Sequence, residues 1–510
     1  MLNKTYCASC IGINAVTVTV EMDISPGIGI HLVGLPDSAV RESLLRVVTA
    51  LTSYGFSIPG RKLVVNLAPA DIRKEGSSYD LAIALGILAV SGQVKMPLCE
   101  DFIVVGELSL DGKVRPVPGS LPIACHAKDS GFKGCIFPQA SAGEAADIDG
   151  IRIYGVETLS QAIDILCGLP EADTRLVRPG GRGVRTTTSL PDFKDVKGQT
   201  VARRGLEIAA AGGHSVLLSG PPGSGKSMMA SCLPSILPPM TREESIVTSK
   251  LYSVAGYGCK GGLMTERPFR SPHQSISMAS LIGGGPNATP GDISLAHNGV
   301  LYLDEVAQFG KSLIDSLRQP VEDGKVTISR VRYKVEYPCS FMLVASMNPC
   351  PCGYLGDGTG RCTCSRNAIE RYRARISGPF LDRIDLQIFV SQVNADEMVR
   401  AGNAEPSSVI AGRVARAREM QLRRFSSEGI FTNSRMDASL IKKYCPLGQK
   451  ESDFMEKVIR RLNLSARSYG RILKISRTIA DLEGNDSVTL RDISEAVQFR
   501  ALDRNDAEQL

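Results

Sequence analysis

Residues 214–218 form an apolar run that leads directly into Gly220-Pro221-Pro222-Gly223-Ser224-Gly225-Lys226-Ser227, and residues 228–233 continue with helical character. This G-x-x-x-x-G-K-[ST] pattern, set between a strand and a helix, constrains the chain more than any other feature in it. The glycines let backbone N–H groups approach and wrap phosphates. The start of the following helix adds partial positive charge. In such a loop Lys226 reaches the β- and γ-phosphates and Ser227 holds Mg²⁺, so ATP and Mg²⁺ are the expected ligands. A chance glycine-rich turn is the competing reading, and the flanking strand and helix argue against it.

Two further apolar runs fit the same site. Residues 299–303 end in Asp304-Glu305. A carboxylate at that strand end can bind Mg²⁺, as expected for Asp304, and the next can polarise an attacking water, as expected for Glu305. Alone, an apolar run before Asp-Glu is common; downstream of a phosphate loop it gains meaning. Residues 341–346 form the third run, with Asn348 just beyond it, where a polar side chain can touch the γ-phosphate or the water.

The chain has 510 residues, 43% of them hydrophobic and 22% charged. That length predicts about three domains, and that composition excludes wholesale disorder. Aromatics make up 5% and Trp is absent, which argues against binding single-stranded nucleic acid mainly by stacking. No run of apolar residues is long enough to predict a transmembrane helix. The first residues, Met1 to Cys7, show no signal-like apolar core, and the chain holds 14 cysteines. A reducing, cytoplasmic setting is the expectation, in which clustered cysteines serve metals more often than disulfides.

Residues 1–167 read as an α+β domain, with strands expected over 16–24, 62–67, 102–107 and 134–138. Helices are expected over 37–51 and 79–90, the first burying Val40, Leu44, Leu45, Val48 and Leu51. Residues 168–196 have turn and linker composition. Residues 197–393 alternate strand, loop and helix, and 394–510 are predominantly helical. Charge is uneven. Residues 1–167 carry 13 Lys and Arg against 17 Asp and Glu, whereas the remainder carries 46 against 36. The basic excess permits nucleic-acid binding and is equally compatible with a solvated basic surface.

Taken together with the stretches 267–274, 290–297 and 371–385, the phosphate loop and Asp304-Glu305 resemble the magnesium-chelatase-like AAA+ ATPases, in particular the ComM/YifB group. The resemblance runs N-terminally through Val33-Gly-Leu-Pro-Asp37 and residues 65–76 and covers nearly the whole chain. It implies a P-loop AAA+ α/β core with a C-terminal helical lid, assembled as a homo-hexameric ring. It also implies that Asn348 is sensor 1, that Arg383 is an arginine finger reaching a neighbouring subunit's ATP, and that Arg467 is the sensor 2 arginine. An ordinary surface ion pair is the competing fate of either arginine.

The same resemblance links residues 1–167 to the Lon-protease-like, ribosomal S5-like fold. Ser78 lies at the position of that protease's nucleophile, but the position of its catalytic lysine is Leu121 and no lysine follows until Lys128. A serine without a base is a weak nucleophile, so this domain is expected to be non-proteolytic.

Cys350-Pro-Cys352 and Cys362-Thr-Cys364 present four thiols on one short stretch. They are expected to close a structural Zn²⁺ site, with free thiols on a loop as the alternative. Residues 327–336 alternate like a β-hairpin carrying Arg330, Arg332 and Lys334. The resemblance implies a hairpin that points into the ring's pore, where these cations would hold DNA phosphates. Charged residues guarding a solvated edge strand are the alternative. A glycine-rich segment, 281–290, matches the family's helix-2 insert.

The leading reading is therefore an ATP-driven, hexameric DNA motor of the ComM type. Its expected activity is branch migration on single-stranded or branched DNA, in recombination or natural transformation. The rivals are an ATPase subunit of a magnesium or cobalt chelatase and a Lon-like ATP-dependent protease. The fused N-terminal domain argues against the first and Leu121 against the second.

Overall fold

The computed structural model describes residues 2–180, 191–258, 262–285, 288–329, 334–358, 360–392, 404–462 and 464–500. Two sheets organise the molecule, and the second positions the candidate site.

The first sheet has seven strands: β1 (Asn3–Ile11), β2 (Asn14–Ser25), β3 (Ile30–Val33), β4 (Lys62–Ala68), β5 (Phe102–Val104), β8 (Gly134–Pro138) and β9 (Arg152–Val156). A short antiparallel pair, β6 (Glu107–Leu108) and β7 (Val114–Arg115), lies between β5 and β8 in the chain. The sheet order is β3-β4-β2-β1-β5-β8-β9. Strand β4 alternates cleanly, burying Leu63, Val65 and Leu67, as a strand with one covered face must. The helix Asp80–Val90 is buried from Asp80 through Leu88, so its apolar residues encircle it instead of forming a stripe.

Helix Ser38–Ser53 starts where expected, with Asp37 capping it by accepting from the Val40 N–H at 2.8 Å. Its buried face differs from the expected one: Val40, Ser43, Val47, Ala50 and Leu51 face inward, and Leu45 is 73% exposed. Small residues at 43 and 50 allow close packing against the helix Asp80–Val90, which turns Leu45 outward. The strand expected over 102–107 is broken into β5 and β6.

The second sheet is fully parallel: β11 (Phe269–Arg270), β14 (Val300–Leu303), β17 (Met342–Met347), β10 (Val216–Ser219) and β18 (Leu386–Phe389), in that order. The first of these in the chain, β10, lies between the last two. Chain order therefore reverses beside β10, which opens a crevice at the strand ends where ligands bind in open α/β sheets.

Two hairpins project from this core: β12 (Gly283–Gly284) with β13 (Thr289–Pro290), and β15 (Lys325–Ser329) with β16 (Lys334–Pro338). They brace each other. The Tyr337 hydroxyl donates to the Ala288 carbonyl at 3.0 Å, and a Cβ on Gly283 would lie 2.5 Å from Ile328 Cδ1. The turn between β1 and β2 also reaches this hairpin, since a Cβ on Gly12 would lie 2.7 Å from Val335 Cγ1.

The helix Arg242–Val254 joins the two sheets. Ser253 accepts from the Gly119 N–H at 3.1 Å through its carbonyl, and its hydroxyl donates to Glu144 at 2.7 Å. Arg242 pairs with Asp149 at 2.6 Å. Both ends of the segment expected to be a linker are packed. Val177 N–H donates to Ile153 O at 2.8 Å, and Phe193 is fully buried, its N–H on the Ser407 hydroxyl at 2.8 Å.

C-terminal to the second sheet come helices Ser407–Arg424, Ala438–Tyr444, Gln449–Leu462, Ala466–Glu483 and Leu490–Gln498. His214 ties them to the sheet, with one ring nitrogen 3.2 Å from Asp385 and the other 2.8 Å from the Thr478 hydroxyl. Among the described residues no helix is long and apolar enough to cross a membrane.

Candidate nucleotide-binding site

The phosphate loop runs from β10 into helix Lys226–Cys232. Gly223 and Gly225 take positive φ, +75° and +87°, and a Cβ on either would meet nothing within 4 Å. They border open space. Gly220 has the opposite constraint: a Cβ there would lie 2.1 Å from the Val390 carbonyl oxygen. The chain after β18 therefore presses against the loop's first residue and admits only glycine.

Lys226 is buried and donates to the carbonyls of Gly220 and Pro221 at 2.8 Å each and to Asn348 Oδ1 at 3.3 Å. Burial lowers its pKa from the ordinary lysine value, opposed by the nearby charges of Asp304 and Glu305. The structure thus brings Lys226 and Asn348 together, although 122 positions separate them in the chain.

Asp304 is surrounded by hydroxyls. Ser227 donates to Oδ2 at 3.0 Å, while Tyr302 and Ser346 donate to Oδ1 at 2.8 and 2.5 Å. Burial pushes the carboxyl up, but these hydroxyls and the Glu305 N–H outweigh it, so it titrates below its ordinary value and stays ionised. Glu305 is exposed, and its backbone is left-handed at φ +50° and ψ +54°. Its N–H donates to the Ser346 hydroxyl at 2.9 Å, which holds that strained turn.

Three participants escaped the sequence reading. Tyr302 lies two residues before Asp304 and so on the same strand face, and its hydroxyl, whose single proton goes to Asp304, also lies 3.1 Å from the Ser227 hydroxyl. Ser346 comes from the neighbouring strand, where Leu303 pairs with Ala345. Gln199, just before helix Thr200–Gly212, donates its side-chain amide to the carbonyls of Ser224 at 3.4 Å and Ser391 at 2.7 Å. Tyr302 was legible from period-two alternation; the other two depend on tertiary neighbours.

Arg383 is held within its own chain. It pairs with Glu322 at 2.7 Å and donates to the carbonyls of Arg318 and Pro379 at 3.2 and 2.6 Å. Arg467, at the start of helix Ala466–Glu483, has a side chain 69% exposed and lies 3.7 Å from Asp382. The contacts described for these two arginines are thus to other groups, whereas Lys226, Ser227, Asp304 and Asn348 converge.

Cys350, Cys352, Cys362 and Cys364 also converge, with all four sulfurs within 4.8 Å of one another. On the expected DNA hairpin, Lys334 is exposed at the start of β16, and Arg330 and Arg332 lie outside the described residues. In the first sheet's half, Leu121 is fully buried and its N–H lies 3.4 Å from the Ser253 hydroxyl, so an apolar side chain occupies the position expected of a catalytic lysine.

These residues fit a nucleotide and its Mg²⁺. Two glycines border open space, the buried Ser224 hydroxyl has no hydrogen-bond partner among the described residues, and Ser227 and Asp304 place two oxygens together.

Comparison with known proteins agrees. Residues 192–398 match the family described as magnesium chelatase, subunit ChlI; residues 20–141 match subunit ChlI of Mg-chelatase; and residues 404–500 match the ChlI C-terminal family. The chain is 40% identical over 501 residues to YifB of Salmonella typhimurium, covering 98% of this chain and 97% of that one. It is 41% identical over 504 residues to the competence protein ComM of Haemophilus influenzae, again covering 98% and 97%. Over 139 residues it is 31% identical to Lon protease 2 of Bacillus subtilis, 27% of this chain and 25% of that protein. On these matches, full-length and family-wide, the chain belongs to the magnesium-chelatase-like AAA+ ATPases of the ComM/YifB family.

Proposed function

We propose that the chain is an ATP-hydrolysing motor that assembles as a homo-hexameric ring in the cytoplasm and moves DNA, as a ComM-like branch-migration helicase. The observation that carries the ATPase part is the meeting of Lys226 with Asn348 beside the hydroxyl-clasped Asp304. In this reading Lys226 neutralises phosphate charge, Ser227 and Asp304 hold Mg²⁺, and Glu305 accepts a proton from water. Asn348 orients that water. Bound Mg²⁺ supplies further charge neutralisation on phosphate oxygens. Arg383 leaves Glu322 to complete the site of a neighbouring subunit, and Arg467 acts from the helical lid. The cysteine cluster is a separate structural zinc centre.

The DNA part rests on similarity to a competence protein and on the basic residues Arg330, Arg332 and Lys334 in the sequence around the start of β16. The proposed division of labour is a Lon-like domain at 1–167, a connecting segment at 168–196, the ATPase core at 197–393 and the lid at 394–510. The families matched are named for a chelatase, so that rival reading keeps a specific observation behind it. ATP turnover measured without DNA and with single-stranded, duplex and branched DNA separates the two. Stimulation by DNA supports the motor, and indifference to all three DNAs supports the chelatase-type subunit.

A further inference from the structure

The four cysteines do more than sit on one loop. Cys350 Sγ lies 3.3 Å from Cys352 Sγ and 3.7 Å from Cys362 Sγ, and Cys352 and Cys362 are 3.6 Å apart. These separations are far beyond the ~2.05 Å of a disulfide. They match the edges of a sulfur tetrahedron around zinc, about 3.8 Å for Zn–S bonds of ~2.3 Å. Four converging thiols fill every position, so such a site is structural, with no place left for substrate.

The residues between the cysteine pairs are braced. Arg361 stacks on the Tyr354 ring at 4.4 Å, pairs with Asp357 at 2.9 Å and donates to Gln392 at 3.0 Å. Ligands held in place before binding lose less entropy when metal arrives.

The knuckle also touches the nucleotide site at two points. Asn348 lies two residues before Cys350. Gly353 follows Cys352 at φ +87°, and a Cβ there would come 2.7 Å from Pro222 Cδ in the phosphate loop and 3.8 Å from Asn348 Cγ. The turn after the second cysteine is therefore wedged between the phosphate loop and the asparagine that bonds Lys226.

We propose that Zn²⁺ bound by Cys350, Cys352, Cys362 and Cys364 is a strut that holds Asn348 and the phosphate loop in register, so that metal occupancy controls nucleotide affinity. The second half rests on the ATPase reading above; the first does not. Without the metal the cysteines take up protons and no bond pins the four sulfurs together, so the loop loosens, Gly353 withdraws from Pro222, and Asn348 loses its fixed distance to Lys226.

The test uses the full-length protein purified without chelator. Elemental analysis is expected to find about one zinc per chain. Displacing the metal with a thiol-specific mercurial, followed by thiol reduction, should weaken binding of a fluorescent ATP analogue about 10–100-fold, the scale of one lost hydrogen bond to a charged group, and added Zn²⁺ should restore it. Cys362→Ser should lose zinc and show the same weakened binding. Absence of zinc, or iron in its place, overturns the site. Stoichiometric zinc whose removal leaves analogue affinity unchanged overturns the strut. Should Cys362→Ser fail to fold, the reversible depletion of the parent decides. A zinc-loaded parent that binds no ATP analogue would instead refute the ATPase reading and leave the metal site standing.

Discussion

Arg383 and Glu322 form an ion pair at 2.7 Å, with the arginine side chain 16% exposed and the glutamate side chain 56% exposed. An arginine so held is tied down within its own chain. If it serves a neighbour, Arg383→Ala should preserve ATP binding and lower turnover by about 10³–10⁵. Mixing Arg383→Ala with Lys226→Ala subunits should then recover activity, because some interfaces combine an intact loop with an intact arginine. Turnover of the mixture is the measurement; none above the separate variants refutes action in trans.

Removing the carboxylate without its volume isolates the hydrolytic step. Glu305→Gln should bind ATP and Mg²⁺ like the parent and lose about 10²–10⁴-fold in turnover, whereas Lys226→Ala should lose binding. Isothermal titration and a phosphate-release assay separate these outcomes.

Tyr302 stacks on Phe269 with ring centroids 5.9 Å apart, so Tyr302→Phe removes one hydroxyl and keeps the packing. That hydroxyl bonds both Ser227 and Asp304. The Mg²⁺ concentration giving half-maximal ATPase should rise about tenfold, as for loss of other groups that orient metal ligands. An unchanged Mg²⁺ dependence would remove Tyr302 from the site.

Replacing Arg330, Arg332 and Lys334 together by Ala should weaken DNA binding and flatten its salt dependence. Each phosphate contact contributes a slope of roughly 0.7–0.9, so losing three lowers the slope of log affinity against log salt by about 2–3. DNA-independent ATPase should persist, since the phosphate loop is untouched. Binding isotherms at several salt concentrations check this.

His297 is buried, and its Nδ1 accepts the Ser340 N–H at 3.0 Å. Burial lowers its pKa to about 4; Glu244 opposes the shift, and Arg267 and Arg435 reinforce it. The folded state therefore keeps this ring neutral while the unfolded chain protonates it near pH 6.5. The group's stabilising contribution is intact above that value and is lost as pH falls toward 4, by about 3 kcal/mol in all. Urea denaturation from pH 7 to 4 should show this slope, and His297→Asn should flatten it.

The phosphate loop was legible because its chemistry is local: three glycines, a lysine and two serines within eight consecutive residues, after a strand. Asp304-Glu305 was legible for the same reason. Ser346 and Gln199 were not, because each acts across a strand pairing or a loop contact that no nearby spacing records. The spacing of apolar residues puts Leu45 on the inner face, whereas small residues at 43 and 50 set how the helix packs. Strand β1 was missed because its alternation is blurred by Thr5, Ala8 and Ser9; pairing with β2 along its whole length makes it a strand. An ion pair was the alternative fate read for Arg383, and it forms; only its partner, Glu322, had no trace in the sequence.

The left-handed backbone at Glu305 makes the position thermodynamically unfavourable for its own residue. A non-glycine residue held there costs on the order of 1–3 kcal/mol, and glycine would relieve most of that. Glu305→Gly should therefore raise the melting temperature of a chain that no longer turns over ATP. A screen for thermostability alone would accept that change, and a screen for activity would reject it. What position 305 supplies is a carboxylate, bought at the fold's expense.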